Sequence, residues 1–147
     1  MSNDVGILDG LKMATVQAII DKHGGIEVLK ETYIKIKNEP YMPLVIEWVG
    51  KGPYETELVS VAHYYTQNGD LMRDPEIVFI VSKLGYWTPM SFQQDNLGLY
   101  QEAVTIREGS FFMNSKLIRD LKQFAKMWDR NLSEQGYFVA QTASHQT

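Results

Sequence analysis

The sequence predicts an α+β domain: an antiparallel, meander-like sheet of five to six strands with N- and C-terminal helices packed on it. Apolar residues recur at spacings of three and four at both ends of the chain, the mark of amphipathic helices. The middle is filled by alternating or β-branched segments. The turns between those segments are too short for crossover helices, so neighbouring strands run antiparallel.

The first helix is expected over residues 5–23, where Ile7, Leu8, Leu11, Ala14, Ala18 and Ile19 share a face. Asp4 serves as its N-cap and His23-Gly24-Gly25 as its stop. Residues 26–30 suit a helical turn or an early strand equally. Strands follow at 33–37, 44–49, 58–66, 76–82 and 86–93, and a sixth at 97–106 after a turn at Asp95-Asn96. Asn38-Glu39-Pro40 and Gly50-Lys51-Gly52-Pro53 supply the first two connections. The last helix is expected over 114–132, capped by Asn114 or Ser115, with Leu121, Phe124 and Trp128 buried in its apolar stripe. Residues 1–138 then make one domain, and the small polar stretch 139–147 is expected to be disordered.

Composition narrows the class. At 147 residues, 44% hydrophobic and 22% charged, the chain can build a core without staples. With no cysteine there is no disulfide framework, thiolate nucleophile or Cys-based zinc site. Met1–Met13 carries Asp4, Asp9 and Lys12 among its apolar residues, so neither a secretory signal nor a membrane span is expected there, which fits a cytoplasmic site.

Pairing strand 44–49 with 58–66 sets Glu47 opposite Ser60. Alternation then places Leu44, Ile46, Trp48, Val59, Val61 and His63 on one face, and Val45, Glu47, Leu58, Ser60, Ala62 and Tyr64 on the other. Both faces carry large apolar groups, so both are expected to be at least partly covered, with Glu47 and His63 as half-buried polar groups needing partners.

The segment Leu58–Glu76 gathers His63, Asp70, Asp74 and Glu76. These types can ligate a metal or exchange protons: Asp70, Asp74 and Glu76 as metal ligands, His63 and Glu76 as catalytic acid or base. The turn reading is the stronger one. Asn68-Gly69 is a hairpin dipeptide, Asp70 and Asp74-Pro75 flank it, and no metal spacing is matched. His63 is then a structural histidine bonded by a neighbouring strand, with Glu76 or a tyrosine hydroxyl as partner. The chain has no His-Glu-x-x-His, no Gly-x-Ser-x-Gly, no phosphate-binding glycine loop and no EF-hand, and no cofactor is expected. Trp48, Trp87 and Trp128 sit at core spacings rather than as base-stacking platforms.

On the last helix, Lys116, Arg119, Lys122, Lys126 and Arg130 fall within a third of the circumference. With Asp120 and Asp129 the segment nets +3 in a chain of net −4, leaving −7 elsewhere. Such cations are most simply a solvated helix face, favoured towards a helix C-terminus; as a binding surface the ridge suits an acidic protein surface or a second copy of the chain, and a net negative chain is a poor binder of nucleic acid.

Met42-Pro43-Leu44-Val45-Ile46-Glu47-Trp48, Val59-Ser60-Val61-Ala62-His63-Tyr64-Tyr65, Gln67-Asn68-Gly69-Asp70-Leu71-Met72 and Asp74-Pro75-Glu76 resemble a pattern in small bacterial proteins carried on phages, plasmids and conjugative elements, an uncharacterised family. Ser91-Phe92-Gln93-Gln94-Asp95 and Leu99-Tyr100-Gln101-Glu102 resemble its continuation. The resemblance implies a mobile-element origin and a cytoplasmic site of action, and no activity or site residue. The expected function is a non-enzymatic accessory protein binding a protein partner. The alternative is a metal-dependent phosphodiester hydrolase using His63, Asp70, Asp74 and Glu76.

Overall fold

The computed structural model describes residues 10–144, the side chains of 141–144 excepted. Helices α1 (Ala14–Lys22) and α2 (Ile26–Leu29) precede strands β1 (Ile34–Asn38), β2 (Tyr41–Gly52), β3 (Thr56–Gln67), β4 (Asp70–Val81) and β5 (Trp87–Gln94). A 3-10 turn (Asp95–Leu97) leads to β6 (Leu99–Glu102), then β7 (Val104–Arg107), β8 (Ser110–Met113), α3 (Ser115–Glu134) and α4 (Tyr137–Ser144). Strands β1 to β6 form one sheet in chain order, every pair antiparallel, and β7 pairs with β8 in a second small sheet. This is the α+β meander that the patterning predicts.

The differences lie where long-range contacts outweigh local pattern. Helix α1 begins at Ala14, and residues 10–13 are not helical; residues 1–9, with the expected cap Asp4, lie outside the described residues. Residues 26–30 resolve as the helical turn α2. The expected single strand 97–106 is broken at Ala103, which is buried and bonds Met90 through its N–H and Asn114 through its carbonyl, both at 2.8 Å. The chain there leaves the large sheet for the β7–β8 hairpin.

The tail expected to be disordered is helical through Ser144, and 145–147 lie outside the described residues. Tyr137, fully buried, anchors α4 by donating its hydroxyl hydrogen to the Met42 carbonyl of β2. Gly136, at φ +87°, supplies the left-handed corner between α3 and α4.

The core lies between the helices and one sheet face. Ile34, Ile36, Leu44, Ile46, Val59 and Val61 come from the sheet; Val16, Ile19, Leu121, Trp128 and Leu132 from the helices. Leu121 and Trp128 are buried as expected, whereas Phe124 is half-buried, its ring edge-on to Phe92 at 5.4 Å. Glu47 does pair with Ser60, and the faces divide as alternation requires. Both faces are at least partly covered, as expected: the ring contacts to the helices arise on the His63 face, and Ser60, Ala62 and Ile80 are buried on the Glu47 face.

One irregularity sets the geometry of the site. In the β3–β4 ladder Ala62 faces Glu76 and Tyr64 faces Arg73, so Asp74 and Pro75 together oppose His63 alone. This bulge reverses the alternation along β4.

Candidate functional site

The bulge disperses the four polar residues of the Leu58–Glu76 segment. Glu76 follows Ala62 onto the Glu47 face, the more open of the two, where it accepts from Ser60 Oγ at 2.6 Å and pairs with Arg73 Nε at 3.1 Å. Arg73 also reaches Asp95 at 3.2 Å. Alternation from Arg73 puts Leu71 on the open face and the exposed Asp70 on the reverse, so Asp70 and Glu76 do not converge. Asp74, expected to serve the turn, instead accepts from Gln94 Nε2 of β5 at 2.7 Å. Among the described residues no three His, Asp or Glu side chains converge on one point. The cluster needed for the hydrolase alternative is therefore not assembled.

His63 is indeed bonded by a neighbouring strand, but through the backbone: Nδ1 donates to the Pro43 carbonyl of β2 at 3.2 Å. Its ring centroid lies 5.5 Å from those of Trp128 and Tyr137. Burial pushes its pKa below the ordinary 6.5, while the Pro43 carbonyl and the charge of Asp74 offset part of that. Because the folded chain resists a proton the unfolded chain accepts, stability is full above 6.5 and declines as the pH falls from there towards the folded pKa. Melting temperature measured over roughly pH 5.5 to 8 should fall on the acid side for wild type and fall less for His63→Gln. Parallel slopes for the two proteins would refute the assignment.

The basic ridge is only partly what composition suggests. Arg119, Lys126 and Arg130 are exposed; Lys116 is exposed but paired with Asp120 at 3.2 Å. Lys122 is half-buried, its Nζ lying 3.2 Å from where a Cβ on Gly10 would stand. Asp129, counted with the ridge charges, is buried against α1.

The open face holds a groove of about 490 Å³ that the sequence reading did not single out. Tyr33, Val45, Tyr64 and Leu71 give its apolar surface, and Lys35 and Glu47 its charges. Tyr33 and Leu71 are 59% and 65% exposed. Strands β1 to β4 bring these side chains together only because the bulge turns Leu71 and Arg73 to the Tyr64 side. Burial, followed by the charges of Glu76 and Glu47, raises the Tyr64 hydroxyl pKa, so it remains a neutral donor. Glu76 and Asp95 both pair with Arg73, whereas half-buried Glu47 has no ion-pair partner among the described residues. The sequence signal was present in Glu47 and Tyr64 sharing a face; the contribution of β4 was hidden by the bulge.

Fold and site define a class: an α+β domain with helices on one face of an antiparallel meander and a furrowed, aromatic, partly charged opposite face. Residues 14–138 match the family described as a domain of unknown function, DUF6908, and the chain belongs to that family. No curated protein and no solved structure matches it. Among the described residues no helix is long and apolar enough to cross a membrane.

Proposed function

We propose that this protein is a non-enzymatic interaction module that binds a basic partner protein through the open sheet face. The observation that carries this reading is Glu47: a half-buried carboxylate without an ion-pair partner among the described residues, set in an aromatic groove on the more open face. A half-buried charge is costly unless paired, so a Lys or Arg beside an apolar anchor suits the groove. The anchor fills the space between Tyr33, Tyr64 and Leu71, and the cation meets Glu47. The net charge of −4 steers such a partner towards the chain. The exposed cations Arg119, Lys126 and Arg130 form a second contact surface, for an acidic protein patch or a second copy. The resemblance of the β2–β5 segments to proteins of phages and plasmids supports a role in the bacterial cytoplasm in service of a mobile element, including action on a host system.

Affinity capture from a bacterial host with wild type, Glu47→Lys, Leu71→Glu and Arg119→Glu/Lys126→Glu chains tests this. A basic protein retained by wild type and lost with Glu47→Lys and Leu71→Glu is expected, with each surface change altering stability by under about 1 kcal/mol. Loss confined to the Arg119/Lys126 variant would move the interface to α3. A partner retained by every variant, or none at all, would refute the reading.

A further inference from the structure

The groove over Glu47 has a direction, and strand register gives its length. Glu47 stands level with Ser60, and Thr66 lies six residues further along β3. Glu47 and Thr66 both line the groove, so it follows β2 for about 20 Å, at roughly 3.3 Å per residue. Pro43, Val45 and Glu47, alternate residues of β2 and all half-buried, form its floor. The charges that line it lie towards one end: Glu47 comes first, and Lys35, level with Val45, one step further in. Exposed Thr66 and Leu71, paired across β3 and β4, mark the other end. A volume of about 490 Å³ spread along that length holds one extended chain; a helix, about 10–12 Å across with its side chains, is too wide to enter.

We infer that the partner enters this groove as an extended segment lying along β2, with one cation at the Glu47 end and apolar side chains at the alternate positions that follow. The inference rests on the reading of the groove as the site of a basic partner. In an extended chain the residues i, i+2, i+4 and i+6 face the same way and span about 20 Å, which is the length of the groove. The first of them meets Glu47, whose carboxylate has no hydrogen-bond or ion-pair partner among the described residues. The second passes Lys35, whose charge repels a further cation there. The third lies over Pro43 and the fourth beside Leu71, where the lining carries no charge and an apolar side chain loses nothing by leaving water. The groove therefore reads a single cation in a fixed place, not positive charge in general.

Fluorescence anisotropy on the full chain tests this with labelled heptapeptides, Arg-Ser-Val-Ser-Val-Ser-Leu and its reversal, which cover the two chain directions. One of them should bind, and replacing its Arg by Ala should weaken it about tenfold. Exchanging the Arg with the nearer Val, which sets the cation beside Lys35, should weaken it at least as much. Glu47→Gln, which keeps the shape of the side chain, should weaken the Arg peptide about tenfold and leave the Ala peptide unchanged. Amide shifts of the bound chain should move at 43–47 and at Thr66 and Leu71. An Arg whose position makes no difference, tighter binding of a helical Ala-rich peptide with Arg and Leu four positions apart, or no binding by any peptide would overturn the inference. Capture of a basic protein that depends on Glu47 and Leu71, with no peptide bound, would leave the proposed function standing and remove the extended mode. Peptide binding with no captured partner would keep the extended mode and remove the host partner.

Discussion

Replacing Asp129 with alanine is expected to lower the free energy of unfolding by about 3 kcal/mol. The N-terminus of α1 has no side-chain cap of its own, since Met13 stands at the cap position. Asp129, 6% exposed on α3, supplies one from across the fold, accepting from Thr15 N–H through Oδ2 and from Val16 N–H through Oδ1, both at 3.0 Å. Its negative charge also sits at the positive end of the α1 dipole. Alanine leaves two backbone donors without acceptors, one of them buried. Asparagine keeps one acceptor oxygen and the shape, so its loss should be smaller, about 1–2 kcal/mol. Urea unfolding of the two variants checks this. A loss below about 1 kcal/mol for alanine would show that water replaces the cap without penalty.

Trp87→Ala should cost as much or more, about 3–5 kcal/mol. The ring is 1% exposed, edge-on to Phe79 at 5.2 Å, and its Nε1 donates to Gln17 Oε1 at 3.1 Å. The Trp87 backbone N–H also donates to the Leu11 carbonyl at 2.9 Å, so this residue fastens the segment before α1 to the sheet. Truncation opens a cavity and at the same time removes the donor from Gln17 Oε1, whose amide nitrogen stays bonded to Asp21. Trp87→Phe keeps most of the apolar area and loses the bond from Nε1, so about half the cost should return. Thermal and urea denaturation of both variants give the comparison, and a full-size loss for phenylalanine would mean that the hydrogen bond outweighs the packing.

Much of the fold was legible because it depends on neighbours in sequence. The 3.6-residue period of Leu117, Ile118, Leu121 and Leu132 specifies a helix, and its buried face is the one observed. The two-residue period of strands 44–49 and 58–66, joined by a short connection, specifies both their faces and the Glu47–Ser60 pairing. Asn68-Gly69, at φ +53° and +85°, makes the turn its composition indicates.

What the tertiary structure alone decided is where energies join distant residues. Whether Asp74-Pro75 forms a bulge opposite His63 depends on the register of two strands against each other, and that single extra residue sends Glu76 to one face and Asp70 to the other. Asp129 reads locally as one more charge on a solvated helix; its role exists only once α3 lies across the start of α1, more than 110 residues earlier in the chain. Residues 139–144 are small and polar enough to read as a tail, and they are helical because Tyr137 finds a buried place beside His63. Periodicity shows that a residue is on a face; only packing determines what that face meets.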